Sequence, residues 1–198
     1  MILGFTQMLT AAMYAMLVQN LVLNSVFGIC EAIRIAKYPK HFFMHFIAII
    51  YFCFTTSSLT YVVQENFITQ SLETIYVFMI SCIILAVVYL LTGLLMKVKF
   101  KANKKFMNSL GFCAFNSLVM SIPMIDDKAG YNFFQVVGNS VGAAVAFVMA
   151  IILINAGMRH IKNNKNIPKI FEGTPVILIY VAILTLAISC LSTDTLFV

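Results

Sequence analysis

The 198-residue sequence is 62% hydrophobic and only 10% charged, and its mean hydropathy is +0.97. A soluble domain carries about a quarter charged residues, so this composition excludes a soluble domain and predicts an integral membrane protein. The net charge of +6 then indicates loops that set the orientation in a membrane, and it does not point to a nucleic-acid partner.

Six apolar runs are long enough to cross a hydrocarbon core, which takes roughly 20 helical residues. Because the runs do not alternate as barrel strands do, each is predicted to be a helix. No Asp, Glu, Lys or Arg falls within them, and we predict one all-α integral membrane domain over residues 1–198. The six transmembrane helices are expected near residues 5–29, 43–63, 74–96, 106–125, 132–158 and 174–193.

The first span ends in an unusually polar stretch that runs from Asn20 to Cys30. A shorter copy of the pattern, from Asn108 to Cys113, lies at the start of the fourth span. Asn side chains at membrane depth either satisfy the backbone groups that a helix break sets free or line a polar path, and hydrogen bonding between helices is an equally good explanation. We therefore predict broken first and fourth helices, with these supporting residues: Asn20, Asn24, Gly28, Asn108 and Gly111.

The basic residues are concentrated in the loops that follow the first, third and fifth spans, which hold 12 of the 13. With six spans these three loops lie on one side, so the positive-inside rule places both termini outside. The other loops are acidic, and we interpret Asp126 and Asp127 as part of a solvated external loop, with attraction of a cation as the less favoured alternative.

The same span count divides the chain into two units of three helices, about 1–97 and 98–198. An odd number of spans forces the second unit to be inverted relative to the first, and inverted repeats commonly build a site at their interface from broken helices. The fifth span also carries a small-residue face that predicts close helix packing: Gly138, Ser140, Gly142, Ala143, Ala144 and Ala146.

Cys30 and Cys113 occupy equivalent places in the two units, two residues after Gly28 and Gly111. A 2Fe–2S cluster needs four ligands, so two thiolates would supply half a set and a partner subunit the other half. The alternative is that both are inert small core residues. The residues alone leave both interpretations open.

Several motifs, in order along the chain, resemble the A-type membrane protein of the Rnf electron-transport complex. Gln19–Leu23 followed by Phe27–Cys30 is similar to the family's N-N-x-V-L…L-G-[LI]-C stretch, and Cys113-Ala114 to its N-C-A motif. Gly142–Val145 is similar to its G-A-A-V, and Ile167–Gly173 to its V-P-x-x-F-x-G pattern. The chain differs at Glu31, where the family commonly has Pro.

This resemblance implies that Cys30 and Cys113 hold one 2Fe–2S cluster together with a homologous six-helix partner of opposite topology, the E type. It implies an electron relay in a bacterial or archaeal inner membrane, together with further flavin- and iron–sulfur-carrying Rnf subunits. The complex would couple ferredoxin:NAD oxidoreduction to Na⁺ or H⁺ export, and the chain alone would not be catalytic. The alternatives are a component of the related sodium-pumping NADH:quinone reductase, an inverted-repeat solute carrier without a cluster, and a structural scaffold.

Overall fold

The computed structural model describes residues 2–37, 42–67, 74–100, 104–163 and 167–189, and this part of the chain is helical without a strand. A short 3₁₀ turn, Lys169–Phe171, precedes the last helix. The helices are α1 (Ile2–Leu17), α2 (Ile29–Lys37), α3 (Phe42–Phe67), α4 (Thr74–Phe100), α5 (Lys104–Ala114), α6 (Ser117–Lys128), α7 (Phe133–Asn163) and α8 (Thr174–Ser189).

Four segments are long and apolar enough to cross a membrane, and they match the second to fifth predicted spans. The apolar helices Leu3–Leu17 and Thr174–Ser189 are shorter. The all-helical membrane class is therefore confirmed. The four long segments are Phe42–Asn66 in α3, Ile75–Lys99 in α4, Phe106–Lys128 across α5 and α6, and Phe133–Ile161 in α7.

The first predicted span, 5–29, is not one continuous helix, because α1 ends at Leu17 and α2 begins only at Ile29. Residues 18–28 between them are irregular, although Leu21 and Val22 of this segment belong to the buried core. The fourth predicted span is interrupted between Ala114 and Ser117. Interruptions thus occur in both spans for which the sequence predicted them.

The two halves of the chain pack on each other reciprocally. Helices α3 and α7 pack together, and Phe52 of α3 and Phe147 of α7 are among the largest fully buried side chains. α1 and α2 pack on α7, whereas α5 and α6 pack on α3. Each broken helix pair is therefore held by the long helix of the other half.

The small-residue face of α7 packs closely on α1, as the sequence predicted. A Cβ added at Gly138 would overlap the carbonyl group of Met8, and one at Gly142 would overlap that of Ala12. Both glycines thus allow the backbones of α1 and α7 to approach so closely that no room is left for a side chain at either position.

Candidate functional site

The break after α1 is stabilised by its own asparagines. The Asn20 Oδ1 atom accepts a hydrogen bond of 3.1 Å from the Leu23 N–H, and the Asn24 amide donates one of 2.9 Å to the Val18 carbonyl. Short polar side chains compete in this way with helical hydrogen bonds, which explains why the helix ends in an apolar stretch. Both side chains thus satisfy backbone groups that the break sets free.

The break between α5 and α6 depends on Asn116. Its backbone is extended, with φ −88° and ψ 136°, and its side-chain oxygen accepts from the Leu118 N–H at 3.2 Å. This is an N-cap, which satisfies one of the free donors at the start of α6. Of the two supporting residues predicted nearby, Asn108 is exposed on α5, and Gly111 lies against the Tyr89 ring of α4.

The two breaks meet at one point, which we call the break junction (Gly28, Asn116 and Ser117). The Gly28 N–H donates a hydrogen bond of 2.8 Å to the Ser117 hydroxyl. Gly28 has φ +76°, and a Cβ placed there would lie 2.8 Å from the Asn116 amide oxygen. Two residues earlier, Val26 also has a positive φ, of 61°. A β-branched residue in this conformation is strained, so the loop before α2 is held in place by its contacts.

The two predicted ligand thiols flank the break junction on different sides. Cys30 lies in the first turn of α2, is exposed, and lines an open cavity of about 300 Å³ together with Gly28, Phe112 and Asn116. Cys113 lies one residue before the end of α5 and is only 1% exposed. It lines a narrow crevice between α3 and α5, next to His45 and Ser109, whose side chains are 2.7 Å apart.

Charged and aromatic groups connect the two sides. Arg34 of α2 lies 3.6 Å from Glu31 and places its guanidinium 3.8 Å from the centre of the Phe112 ring. The cation–π contact joins α2 to α5 directly beside Cys113. Glu31 stands where the family that the sequence resembles commonly has Pro. It pairs with Arg34, the residue that joins α2 to α5.

The two thiols differ in their accessibility. Cys30 is exposed in the first turn of α2 and is accessible from outside this chain. Cys113 is near the same junction but is covered by its own chain. Within the described residues no three His, Cys, Asp or Glu side chains are grouped to hold a metal ion. Cys30 and Cys113 therefore do not form a complete metal centre among the described residues.

Asp126 is a site residue that the sequence analysis placed wrongly. The sequence analysis ended the fourth span at residue 125 and placed Asp126 in a solvated loop. In the structure α6 continues to Lys128, and Asp126 is only 6% exposed. Its carboxylate accepts hydrogen bonds from the Ser57 hydroxyl at 2.5 Å and from the Asn139 amide at 2.6 Å. The available signals were the polar run around Ser57 in the second span and Asn139-Ser140 in the fifth.

Replacing Gly28 with Ala is expected to lower the thermal midpoint of unfolding. The new side chain would be strained at positive φ, at a cost of about 1–2 kcal/mol, and would also press on Asn116. Circular dichroism of the purified chain in detergent measures the effect. Gly130→Ala is the matched control, because Gly130 has φ +63° and open space around it. An equal loss of stability in both variants would show that the junction contact is unimportant.

Comparison with known proteins gives a consistent result over most of the chain. A family model described as "Rnf-Nqr subunit, membrane protein" matches residues 8–194. The A-type component of the Na(+)-translocating ferredoxin:NAD(+) oxidoreductase complex of Acetobacterium woodii is 29% identical over 174 residues, which are 87% of this chain and 90% of that protein.

Two further relatives carry related names. The A-type component of an ion-translocating oxidoreductase complex from Syntrophotalea carbinolica is 26% identical over 181 residues, or 87% of this chain and 90% of that protein. The A-type component of a proton-translocating ferredoxin:NAD(+) oxidoreductase complex from Clostridium ljungdahlii is 36% identical over 74 residues, which cover 37% of this chain and 38% of that protein.

Proposed function

This chain belongs to the Rnf-Nqr family of membrane subunits, and from that premise we propose that it is the A-type subunit of an Rnf-type ferredoxin:NAD oxidoreductase. In this role it relays electrons within the membrane as part of a complex that exports Na⁺ or H⁺. The observation that supports the proposal is the break junction, where the Gly28–Ser117 hydrogen bond joins the two interrupted spans that carry Cys30 and Cys113. The relatives' names, all of the A type, favour the Rnf complex over the related NADH:quinone reductase.

Cys30 and Cys113 would hold half of a 2Fe–2S cluster, and a homologous E-type subunit would supply the other half. The bound cluster would supply one-electron chemistry. The chain's own groups position the thiols: Asn20 and Asn24 fix the loop before α2, and the Gly28–Ser117 hydrogen bond fixes α2 relative to α6. The buried core beside Cys113 keeps water away from that thiol.

Two inverted three-helix repeats, with six transmembrane helices in all, complete the proposed architecture. The reciprocal packing supports it, since α1 and α2 lie on α7 just as α5 and α6 lie on α3. A pseudo-two-fold axis between α3 and α7 would relate these pairs, and the break junction would lie at the repeat interface. A partner of the same family and opposite topology could then approach the exposed side of Cys30.

The proposed orientation, with both termini outside a bacterial or archaeal cytoplasmic membrane, predicts the outcome of cysteine labelling. Lys128→Cys is expected to react with an impermeant maleimide in intact cells, because Lys128 lies next to Asp126 and Asp127 on the side assigned to the outside. Lys97→Cys, at the basic end of α4, is expected to react only after permeabilisation. The unmodified chain serves as the control for reaction at Cys30. The reverse pattern would contradict the orientation and the A-type assignment with it.

The cluster itself is tested by chemical analysis of the purified complex. We expect iron, acid-labile sulfide and a 2Fe–2S absorption and electron-paramagnetic signal when the chain is co-purified with its membrane partner. A preparation without iron that exchanges a solute across vesicles would instead identify an inverted-repeat carrier.

A further inference from the structure

A buried polar cluster joins three helices on the side of the molecule away from the basic loops. We call it the Asp126 cluster; it consists of Ser57 in α3, Asp126 in α6 and Asn139 in α7. All three side chains are at least 94% buried. Both oxygens of the carboxylate accept a hydrogen bond, Oδ2 from Ser57 and Oδ1 from Asn139. No residue of this cluster belongs to the break junction.

The cluster lies inside the helix bundle and not at its surface. Ser57 is ten residues before the end of α3 at Phe67, and Asn139 is six residues after the start of α7 at Phe133. At about 1.5 Å of rise per residue, these positions are roughly 15 Å and 9 Å of helix away from the ends. The carboxylate is therefore placed within membrane-spanning segments, where ionisable residues mark functional sites.

In the part of the chain that the structure describes, this carboxylate has no ion-pair partner. Among the described residues, the ion pair found joins Arg34 to Glu31, and no basic side chain pairs with Asp126. The two side chains that donate hydrogen bonds to it, Ser57 and Asn139, are neutral. A buried charge without an ion-pair partner is strongly unfavourable. An external cation would remove that cost.

Oxygen atoms for such a cation are present. The Asn139 Oδ1 atom is buried and makes no hydrogen bond with the described residues, although its own amide nitrogen donates to Asp126. Thr56, next to Ser57, also has a buried hydroxyl without a partner in the described part of the chain. Carboxylate, amide and hydroxyl oxygens are the ligands preferred by hard cations.

We propose that Ser57, Asp126 and Asn139 form a binding site for a monovalent cation, in which the Asp126 carboxylate holds a sodium ion or a proton. The site rests on the proposed function, because it gives the ion export of that complex a location in this chain. Its chemistry is separate from the electron relay, since it uses other helices and no thiol.

Other titratable groups lie near Asp126 and must be considered when the pH dependence is interpreted. They are Tyr14 of α1, Cys53 of α3, Asp127 of α6 and Tyr131 of the α6–α7 loop. Burial raises the pKa of Tyr131, and the nearby Tyr14 and Asp126 act in the same direction. Tyr131 therefore stays neutral at pH 7 and adds no second negative charge near Asp126.

The experiment measures thermal unfolding of the purified complex in detergent, followed by circular dichroism, while NaCl replaces choline chloride at constant ionic strength. Sodium that binds only the folded protein raises the thermal midpoint. We expect this rise in the wild-type protein and its loss in Asp126→Asn. Lowering the pH should shrink the sodium effect, because protons compete for the carboxylate. Asp127→Asn is the matched control: it removes the neighbouring acid, which is partly exposed and bonded to Gln64, and should behave as the wild type.

The sodium series and the pH series distinguish a bound sodium ion from a bound proton. A sodium-dependent midpoint that Asp126→Asn abolishes assigns sodium, whereas a midpoint that ignores sodium but changes with pH only when Asp126 is present assigns the proton. If Asp126→Asn does not fold, Asn139→Leu and Ser57→Ala replace it, because both keep the carboxylate. Each should weaken sodium binding by about 10–100-fold or, if the ion is a proton, shift the pH at which the thermal midpoint changes. Identical sodium and pH responses in wild type and variants would overturn the site. Iron content measured in the same samples tests the electron relay separately, since Asp126→Asn is expected to retain it.

Discussion

Under the proposed function, the double variant Cys30→Ser and Cys113→Ser is expected to lose all the iron and acid-labile sulfide of the cluster proposed to lie between this chain and its partner. Serine keeps the size of cysteine but does not supply a thiolate, which is the ligand that a 2Fe–2S cluster requires. Electron transfer through the complex should fall to background with it. Membrane insertion should remain, because neither side chain carries a hydrogen bond of the break junction.

The measurement compares iron, acid-labile sulfide and the electron-paramagnetic signal of co-purified complexes. Two other cysteines give matched controls. Cys53 is fully buried in α3, as Cys113 is in α5, and Cys82 is partly exposed in α4. Cys53→Ser and Cys82→Ser should retain the full cluster. A double variant that kept the cluster would show that Cys30 and Cys113 are not its ligands.

The single variants separate the two thiols. Cys30 is exposed beside the open cavity, so its replacement leaves the fold of this chain unchanged. Cys113 is enclosed in the crevice with Ser109 and His45, and it must turn or be uncovered to reach a shared group. Cys113→Ser is therefore expected to lower the stability of the isolated chain as well, because it replaces a thiol of the buried core with a more polar hydroxyl.

The sequence was sufficient for those features of the fold that depend on local composition. Apolar length predicted the four long membrane segments, and Asn20 and Asn24 predicted a break where both now bond the backbone. The small residues of α7 predicted a close helix contact. In each case the cause lies within one segment, so the pattern of that segment contains the information.

Features that arise between distant segments could not be predicted in this way. The Gly28–Ser117 hydrogen bond joins residues 89 positions apart, and nothing around Ser117 indicates its partner. Asp126 was interpreted as solvated because it follows an apolar run and precedes Asp127 and Lys128. Its burial results from α3 and α7, which place Ser57 and Asn139 beside it. Hydropathy averages over a window and does not register such a partner.

The contact of α1 with α7 predicts the largest loss of stability. Gly138→Ala and Gly142→Ala would each place a Cβ on a backbone carbonyl of α1, at Met8 and at Ala12. Backbone cannot rotate away as a side chain does, so α1 must move outward and lose its close packing along α7. Overpacking typically costs about 1–3 kcal/mol, and we expect the upper end of that range for each variant.

Gly4→Ala is the matched control at the same interface. A Cβ at Gly4 would lie 3.1 Å from the Phe134 ring of α7, and a ring can shift by a few tenths of an ångström. Alanine also favours a helix over glycine by about 1 kcal/mol, so Gly4→Ala should be neutral or slightly stabilising. Thermal unfolding followed by circular dichroism in one detergent compares the three variants.

The double variant Gly138→Ala and Gly142→Ala tests whether α1 moves away from α7 as one rigid helix. One outward movement of α1 relieves both overlaps, because Gly138 and Gly142 are four residues apart on the same face of α7. The double variant should therefore lose less stability than the sum of the single losses, as expected for coupled neighbours. Additive losses would indicate that each overlap is relieved by local distortion of α1. Single variants as stable as Gly4→Ala would contradict the close approach of the two helices.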